Sequence, residues 1–422
     1  MAEEDVPLNI DELMMHNLAT TITKSCFAEV MLPDQGPVQI DQYTLSNGFM
    51  SVDIINYGST ITSIKLPDNY GTLSDIVLGF DDIDGYMSDK NPYFGCTVGR
   101  VANRISGASY EHDGFKYFLS KNCGPNTLHG GISGFNKKIW NAEIVNHNSL
   151  WMTYCSPHLE EGFPGDLEVC TKYTLTHDNY LVVRICASTN KITPVNMTNH
   201  SYFNLAGHET GAKGLFSHKL KINANKYTEL DPESLTPTGA ILPVRNTLYD
   251  ITKFTSVGEL IKKSENKGID INYCFAKDSL KTIARLAHAP SGRSLQLYSS
   301  HPGVQLYTSN GVENISGKEG VVYEKFGALC LEPQGYPDAV NQKQFPSIWL
   351  HPKDIYEHLI VYKFRVEKLA DSDSEQQKED DTEKSVEVKS SKSLLKKGRS
   401  SGKLSSGRDE SHKKYRMKRR KS

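Results

Sequence analysis

The stretch VNMTNHSYFNL, residues 195–205, has the residue types of a site that binds hydroxyl groups. Side chains of a strand point to alternate faces, so this stretch would present one apolar face and one polar face. The polar face would carry Asn196, Thr198, His200, Tyr202 and Asn204. Sugar hydroxyls require fixed donors and acceptors, and a sugar ring packs against an aromatic or apolar wall. The spacing alone leaves open a solvent-facing strand with an ordinary histidine.

Two other segments place polar side chains beside glycines. GRVANRISG (99–107) contains Asn103 and Arg104, and PNTLHGG (125–131) places His129 before a glycine pair. Glycine allows the backbone to turn sharply there. A single histidine in a loop is more often a surface residue, and a single arginine is more often a salt-bridge partner. These segments alone therefore leave their role open.

A carboxylate follows an apolar run late in the chain. GALCLEPQGYPDAVN (327–341) runs apolar into Glu332 and is broken at Pro333. A carboxylate at the end of a buried strand is costly unless it is paired or functional. The alternative to a functional role is a structural ion pair, for which Arg104 is a candidate partner.

Several common active-site motifs are absent from the sequence. It contains no G-x-x-x-x-G-K-[ST], no G-x-G-x-x-G and no H-E-x-x-H. The usual signatures of phosphate-binding loops, dinucleotide folds and zinc proteases are therefore missing.

The elements that must position these residues are mostly strands. Runs rich in β-branched and alternating residues lie at 50–66, 167–189 and 293–310. Glycine and proline interrupt such runs at short intervals, and a helical period is rare outside residues 257–268, which predict a short helix. Residues 9–32 could hold a further, peripheral short helix. The pattern predicts an N-terminal extension (1–36) followed by one large all-β domain over about 37–368.

The C-terminal segment differs in composition from the rest. Residues 371–422 contain 16 Lys and Arg against 10 Asp and Glu, although the 422-residue chain has a net charge of −2. The segment is first acidic and then basic, and it has too few apolar residues to offset chain entropy, so we predict a disordered tail. Its end, KKYRMKRRKS, resembles a nuclear localisation or polyanion-binding patch. The alternative is a solvated basic tail without a dedicated partner.

Cysteine usage and the N-terminus point to a cytoplasmic protein. The eight cysteines are scattered without a C-x-x-C pair, which is typical of reduced thiols. The acidic start lacks the signature of a signal peptide, and no run of about 18 apolar residues suggests a membrane span. We expect no membrane partner and no nucleic-acid partner, although the basic tail leaves nuclear entry or a polyanion contact open. The sequence leaves the oligomeric state undecided, and we expect a monomer.

Taken together, these stretches resemble the aldose 1-epimerase (galactose mutarotase) family. The similar motifs, in order over roughly 50–367, are NPYFGCTVGRVANRISG, PNTLHGG, TPVNMTNHSYFNLAG, GIDINYCF, PGVQLYTSN and LEPQGYPDAVN. Six ordered matches are far more specific than any one of them. The resemblance implies a large antiparallel β-sandwich with a sugar-binding cleft on its concave face.

The resemblance also implies a reaction and the residues that perform it. His200 would be the general acid that protonates the ring oxygen of an aldohexose such as galactose or glucose, and Glu332 the general base that takes the anomeric hydroxyl proton. No electron or group is transferred, so no metal or organic cofactor is expected. The implied substrate contacts are Asn103, Arg104, His129, Tyr202, Asp270 and Gln305.

Two positions depart from the family pattern. Many relatives have histidine after the aspartate at position 270, whereas Ile271 stands here, which leaves the detail of the cleft wall open. Tyr336 stands where some relatives have tryptophan, which is a milder change.

Two alternative functions remain open at this point. A hexose-phosphate epimerase on the same fold would need a cluster of cationic side chains, and only Arg100 and Arg104 lie near the motifs. A non-catalytic sugar-binding or sugar-sensing protein would be natural if His200 or Glu332 were missing, and both are present. The sequence does not separate galactose from glucose as the preferred substrate.

Overall fold

A computed structural model describes Leu8 and residues 20–32, 36–275 and 280–367. The predicted tail, residues 371–422, lies outside the described residues, and the predicted N-terminal extension is described only in part. All strand pairings between named strands are antiparallel, as the predicted fold class requires.

The largest sheet has nine strands. Their spatial order is β11 (Asn141–Asn146), β12 (Ser149–Ser156), β13 (Leu167–Leu175), β14 (Tyr180–Thr189), β30 (Tyr356–Val366), β24 (Arg293–Ser299), β23 (Lys281–His288), β18 (Lys219–Ile222) and β21 (Thr255–Ser256). Long runs of β-branched and aromatic side chains, as in YLVVRICAST of β14, favour such extended strands.

Two smaller sheets complete most of the architecture. The six-stranded sheet has the order β17 (Tyr202–Phe203), β28 (Leu329–Gln334), β25 (Gly303–Tyr307), β22 (Asp270–Cys274), β19 (Lys226–Leu230) and β20 (Pro237–Pro243). The five-stranded sheet has the order β1 (Thr21–Leu32), β2 (Gly36–Ser46), β3 (Ser51–Ile55), β4 (Thr60–Pro67) and β5 (Leu73–Asp75).

The remaining elements are short. The two-stranded pairs are β6 (Thr97–Val98) with β16 (Thr198–Asn199), β7 (Arg104–Ile105) with β10 (Thr127–Leu128), β8 (Ser109–His112) with β9 (Phe115–Phe118), β15 (Thr193–Pro194) with β29 (Trp349–Leu350), and β26 (Ile315–Ser316) with β27 (Val322–Tyr323). The α-helices are α1 (Ile83–Met87), α2 (Gly211–Phe216) and α3 (Val257–Lys263). Single 3₁₀ turns lie at Ser106–Ala108, Phe135–Lys137, Glu160–Gly162, His208–Thr210, Ala289–Ser291 and Lys318–Gly320. Among the described residues, no helix is long and apolar enough to cross a membrane.

The main core joins the nine-stranded and six-stranded sheets. In β25, Val304 and Leu306 belong to this core, as do Leu295 and Tyr362 of the larger sheet. Because side chains alternate along a strand, the residue between Val304 and Leu306 points to the opposite face of the six-stranded sheet. That opposite face is where polar side chains can be collected without disturbing the core.

Most sequence-based element predictions are confirmed, with two corrections. Residues 50–66 form β3 and β4, residues 167–189 form β13 and β14, and residues 257–268 contain α3, capped by the Ser256 hydroxyl. Residues 293–310 form two strands as expected, but β24 and β25 belong to different sheets. The short helix considered within residues 9–32 is wrong for the part described, because β1 pairs with β2 from Thr21 to Leu32.

Candidate active site

Three neighbouring strands present polar side chains on the face away from the core. Asp270 of β22, Gln305 of β25 and Glu332 of β28 occupy this face of the six-stranded sheet, and Gln305 lies directly opposite Glu332 across the ladder. Cross-strand partners have Cβ atoms about 4.5–5.5 Å apart, so this register brings the side chains into contact.

The segment that contains His200 is held against the edge of the same sheet. Tyr202 of β17 pairs with Cys330 of β28. The backbone N–H of His200 donates to the carbonyl of Cys96, and the carbonyl of His200 accepts from Gly95 N–H. These bonds fix the backbone on both sides of the imidazole, so His200 faces Glu332.

Asn103 and His129 form the third wall through an unusual backbone. Both have positive φ, +64° and +51°, which is uncommon for residues other than glycine and often marks functional positions. The two residues hold each other: His129 N–H donates to the Asn103 carbonyl at 3.1 Å, and Asn103 N–H donates to Nδ1 of His129 at 3.2 Å. The next residue, Gly130, cannot be replaced without displacement, because a Cβ there would collide with the Gly99 carbonyl.

All eight residues predicted as site residues line one pocket of about 180 Å³. They are His200, Glu332, Asn103, Arg104, His129, Tyr202, Asp270 and Gln305. Four further residues, which the sequence did not single out, complete the lining: Pro92, Tyr93, Leu128 and Tyr307. The sequence-based grouping of distant motifs into one site therefore agrees with their placement in the fold.

His200 and Glu332 form a buried pair in the lining of this pocket. Nε2 of His200 lies 3.4 Å from Oε2 of Glu332, and the two residues are 4% and 2% exposed. Burial lowers the pKa of His200 to about 4. Burial also raises the pKa of Glu332 well above its ordinary value. The negative charge of Asp270 raises this pKa further, whereas the positive charge of Arg104 lowers it. Each group is therefore driven towards its neutral form.

One carboxylate oxygen of this pair accepts no hydrogen bond from the described residues. Oε2 of Glu332 is buried and has no hydrogen-bond partner in the described part of the chain, since its approach to His200 is not aligned as a hydrogen bond. A buried unsatisfied polar atom costs about 1–3 kcal/mol. In a pocket, such an atom points to a ligand group that supplies the missing donor.

Arg104, Asp270 and Gln305 form a second polar network beside the pair. Nε2 of Gln305 donates to Oδ1 of Asp270 at 2.5 Å, and Nη1 of Arg104 lies 3.7 Å from Oδ2 of Asp270. The alternative considered from the sequence, a structural ion pair between Arg104 and Glu332, is not formed, because Arg104 pairs with Asp270. Arg104 and Asp270 remain partly exposed and can still reach a ligand.

The aromatic and imidazole rings supply the remaining wall. The ring of Tyr93 lies 4.7 Å from His129 and is stacked 6.0 Å from His200, measured between ring centroids. The ring of Tyr202 also stacks on His200, at 5.1 Å, and its hydroxyl donates to the carbonyl of Pro92. Tyr202 therefore offers its ring rather than its hydroxyl hydrogen to a ligand.

One group of possible metal ligands occurs among the described residues, and it is this same site. Ligand atoms of His129, His200 and Glu332 lie within 4.8 Å of one another. Nδ1 of His129, however, accepts a hydrogen bond from Asn103 N–H, so the neutral ring carries its hydrogen on Nε2. Burial lowers the pKa of His129 well below its ordinary value, which keeps that neutral form. In this arrangement His129 offers a hydrogen-bond donor and not a metal-binding lone pair.

The predicted polar strand face of residues 195–205 requires a correction. The segment is not one continuous strand, and its polar side chains are buried rather than solvent-facing. Asn196 binds the backbone of Gly335, and Asn204 donates to the carbonyls of Gly211 and Gly327. Only His200 and Tyr202 of that face reach the pocket, so the other amides hold the backbone in place.

The two departures from the family pattern lie away from the pocket. Ile271 is 2% exposed and packs in the main core, on the face of β22 opposite to Asp270. Its effect is therefore on packing and not on the cleft wall. Tyr336 packs edge-on against Phe345 in a separate apolar cluster.

Comparison with known proteins agrees with this fold. The family model described as aldose 1-epimerase matches residues 41–363. Galactose mutarotase from Rattus norvegicus is 43% identical over 348 residues, which cover 82% of this chain and 99% of the relative. Aldose 1-epimerase from Escherichia coli is 32% identical over 348 residues, covering 80% of this chain and 98% of the relative.

A solved structure supports the same assignment. The GalM/aldose epimerase homologue from C. elegans superimposes with a TM-score of 0.70 at 31% identity, covering 75% of this chain and 96% of that chain. The fold and the site thus define a mutarotase-like β-sandwich enzyme. The chain belongs to the aldose 1-epimerase family. The predicted family, fold class and isomerase class are confirmed.

Proposed function

We propose that this protein interconverts the α and β anomers of free aldohexoses such as D-galactose and D-glucose by opening and closing the sugar ring. The observation that carries the proposal is the buried pair of His200 and Glu332, whose Oε2 has no hydrogen-bond partner in the described residues. A sugar hydroxyl placed there would supply the missing hydrogen. The galactose mutarotases among the relatives support the choice of substrate class.

The proposed chemistry needs one proton shared by the pair. Burial disfavours charge on each group, so the pair holds one proton in total, either on the carboxylate or on the imidazole. In the imidazolium–carboxylate form, Glu332 takes the proton of the anomeric hydroxyl while His200 donates its proton to the ring oxygen. The bond between the anomeric carbon and the ring oxygen breaks, and an aldehyde forms.

Ring closure reverses these tasks on the other face of the carbonyl. After rotation about the bond to the neighbouring carbon, His200 takes the proton back from the former ring oxygen, and Glu332 returns its proton to the aldehyde oxygen. The proton count of the pair is unchanged over the cycle. A positioned acid or base contributes typically about 10²–10⁴-fold to such a rate.

The other pocket residues are proposed to hold the sugar in a fixed position and orientation relative to His200 and Glu332. Asp270 and Gln305 offer acceptors to ring hydroxyls, whereas Arg104, Asn103 and Nε2–H of His129 offer donors. The rings of Tyr202 and Tyr93 provide an apolar surface beside His200. With these groups fixed by their neighbours, little reorganisation is needed when the sugar binds.

A hexose-phosphate epimerase is disfavoured by the cations near the site. Arg100 is 2% exposed, and its guanidinium donates to the Ser156 hydroxyl and to the carbonyls of Ser156, Pro157 and Pro164. It is therefore committed to the fold. Among the described residues that line the pocket, Arg104 is the one arginine or lysine, and it already pairs with Asp270.

We also propose that the protein acts in the cytoplasm as a monomer with a small hexose as its partner. All eight cysteines are free, including the exposed Cys26 and Cys155, which supports a reducing compartment. Nuclear entry through the basic end of the chain, residues 388–422, stays a prediction from composition.

Polarimetry tests the proposed function directly. Freshly dissolved α-D-galactose and α-D-glucose should each reach the equilibrium rotation faster with the purified protein, without added metal or nucleotide. Glucose 6-phosphate is the matched comparison, and it should be a poorer substrate than glucose. No acceleration with either free sugar would refute the proposal, and a preference for the phosphate would favour the alternative.

A further inference from the structure

The imidazole of His200 has a second partner on the side away from Glu332. Nδ1 of His200 lies 3.6 Å from Sγ of Cys330, while Nε2 faces Glu332. Cys330 stands two residues before Glu332 in β28, so both side chains point to the same face of the sheet. Cys330 is fully buried, and water therefore does not reach Nδ1 from that side.

The sulfur of Cys330 is available as a hydrogen-bond acceptor. Burial raises the pKa of Cys330 well above its ordinary value, so the group stays a neutral thiol. A neutral thiol sulfur keeps lone pairs that can accept a weak hydrogen bond. Nδ1 of His200 lies within hydrogen-bonding distance of this sulfur, at 3.6 Å.

We propose that Cys330 is a positioning residue for the reaction: its sulfur accepts the Nδ1 hydrogen of His200 and thereby makes Nε2 the nitrogen that exchanges the proton. This inference rests on the proposed function. Throughout the cycle Nδ1 keeps its hydrogen, and only Nε2 gives up and recovers a proton. If neutral His200 carried its hydrogen on Nε2 instead, Nε2 could not take a proton from Glu332. The reactive pair of imidazolium and carboxylate would then not form between Nε2 and Glu332.

A weak acceptor suits this position. A thiol sulfur accepts hydrogen bonds only weakly. An oxygen acceptor would stabilise the imidazolium and raise the pKa of His200, so that the ring would release its proton less readily to the sugar. The titratable groups that face the imidazole from the surrounding elements are Glu332, Cys330, Tyr202, His129 and Tyr93, and Arg104 and Asp270 act through Glu332.

The hydrogen on Nδ1 can be tested without any activity measurement. In full-length protein labelled with ¹⁵N-histidine, the His200 signals are assigned by their loss in His200→Asn. We expect a hydrogen on Nδ1 at neutral pH, with Nε2 either bare or protonated. A bare Nδ1 would overturn the proposal, even if the protein proves to be an active mutarotase.

Two substitutions of Cys330 test its effect on the reaction. In Cys330→Ser the stronger oxygen acceptor should move the pH profile of kcat to higher pH, with kcat within about tenfold of wild type. In Cys330→Ala the acceptor is lost, so the profile should move to lower pH and kcat should fall by at least about tenfold, while KM changes little.

The matched control is Cys96→Ser, another buried cysteine of the same region, whose sulfur contacts the Tyr93 carbonyl at 3.3 Å. Its pH profile should equal that of wild type. If both Cys330 variants keep the wild-type profile, or both shift in the same direction, Cys330 is only a packing residue, whatever happens to the melting temperature. Absence of mutarotation in the wild type would refute the proposed function instead, and the labelled histidine would still report the tautomer.

Discussion

Nε2 of His200 lies 3.4 Å from Oε2 of Glu332 in a setting where both residues are almost fully buried. Each group on its own is driven to its neutral state, because burial lowers the pKa of His200 and raises the pKa of Glu332. Brought together, they can share one proton without placing a net charge in the protein. This relationship makes the pair, rather than either residue alone, the unit that titrates.

The first prediction concerns the carboxylate. Glu332→Gln keeps the shape of the side chain and removes the base, so kcat should fall by about 10²-fold or more while sugar binding is largely retained. Polarimetry and a binding isotherm measure the two effects. Glu313→Gln, an exposed glutamate paired with Lys325, is the control and should behave as wild type. A Glu332→Gln protein with near wild-type turnover would contradict the assignment.

The second prediction concerns the network beside the pair. Asp270→Asn keeps one acceptor oxygen but removes the charge that faces Arg104 and alters the acceptor of Gln305. Hydrogen bonds to charged groups contribute about 1.5–3 kcal/mol, so KM should rise by roughly 10- to 100-fold. The kcat should change much less, because His200 and Glu332 remain. A loss confined to kcat would show that Asp270 acts in the chemical step instead.

How much of this site the sequence could predict depended on the kind of residue. His200, Glu332 and the six predicted contacts are polar groups beside recognisable turns or strand ends, and all line the pocket. Tyr93 and Tyr307 were missed, because an aromatic residue in a strand-rich sequence is indistinguishable from a core residue. A positive φ at Tyr93, +66°, is a signal that only the structure carries.

The amides of residues 196–204 show why pattern alone misassigned part of the strand face. Alternation predicts which side chains share a face only while the strand is regular. Here the strand is interrupted between Asn199 and Tyr202. Side-chain amides hold the segment in place by donating hydrogen bonds to backbone carbonyls. Those partners come from segments distant in sequence, such as Gly95 and Gly327, which no local pattern reveals. The same holds for β24 and β25, which are adjacent in sequence but lie in different sheets.

A third prediction follows from the position of Ile271. Its side chain packs in the core behind β22, so Ile271→His would bury a polar ring among apolar side chains. Burying an unpaired polar group costs about 1–3 kcal/mol, and the melting temperature should fall by several degrees. KM and kcat for galactose should stay within about twofold of wild type. Ile271→Val is the matched control with a small loss of stability. A large change in KM at unchanged stability would place residue 271 in the cleft after all.

The fourth prediction concerns stability in acid. His218 is buried, its Nε2 accepts from Leu205 N–H at 2.9 Å, and burial lowers its pKa to about 3. In the unfolded chain the pKa of a histidine is about 6.5, so between these values the unfolded state binds more protons. Stability from this group is therefore present above pH 6.5 and is lost as pH falls towards 3, at about 1.4 kcal/mol per pH unit.

Urea unfolding between pH 7 and pH 4 measures this slope. His218→Gln can keep an acceptor for the Leu205 N–H without titrating. The pH slope of its unfolding free energy should therefore be smaller than that of wild type by up to about 1.4 kcal/mol per pH unit. The exposed His177→Gln is the control and should keep the wild-type slope. Equal slopes for wild type and His218→Gln would show that His218 does not resist protonation in the folded protein.

The last prediction concerns the end of the chain. The pocket, the three main sheets and the family match all lie within residues 20–367, and the sequence of residues 371–422 contains none of the motifs that carry the site. A chain ending at Asp371 should therefore fold, keep its melting temperature within about 2 °C, and keep full turnover in the polarimetric assay. If the basic end contacts a polyanion, only the full-length protein should bind heparin, and that binding should weaken as salt rises, because the contact depends on screened charges. A clear drop in melting temperature or turnover on truncation would mean that the C-terminal residues stabilise the sandwich, against the prediction from their composition.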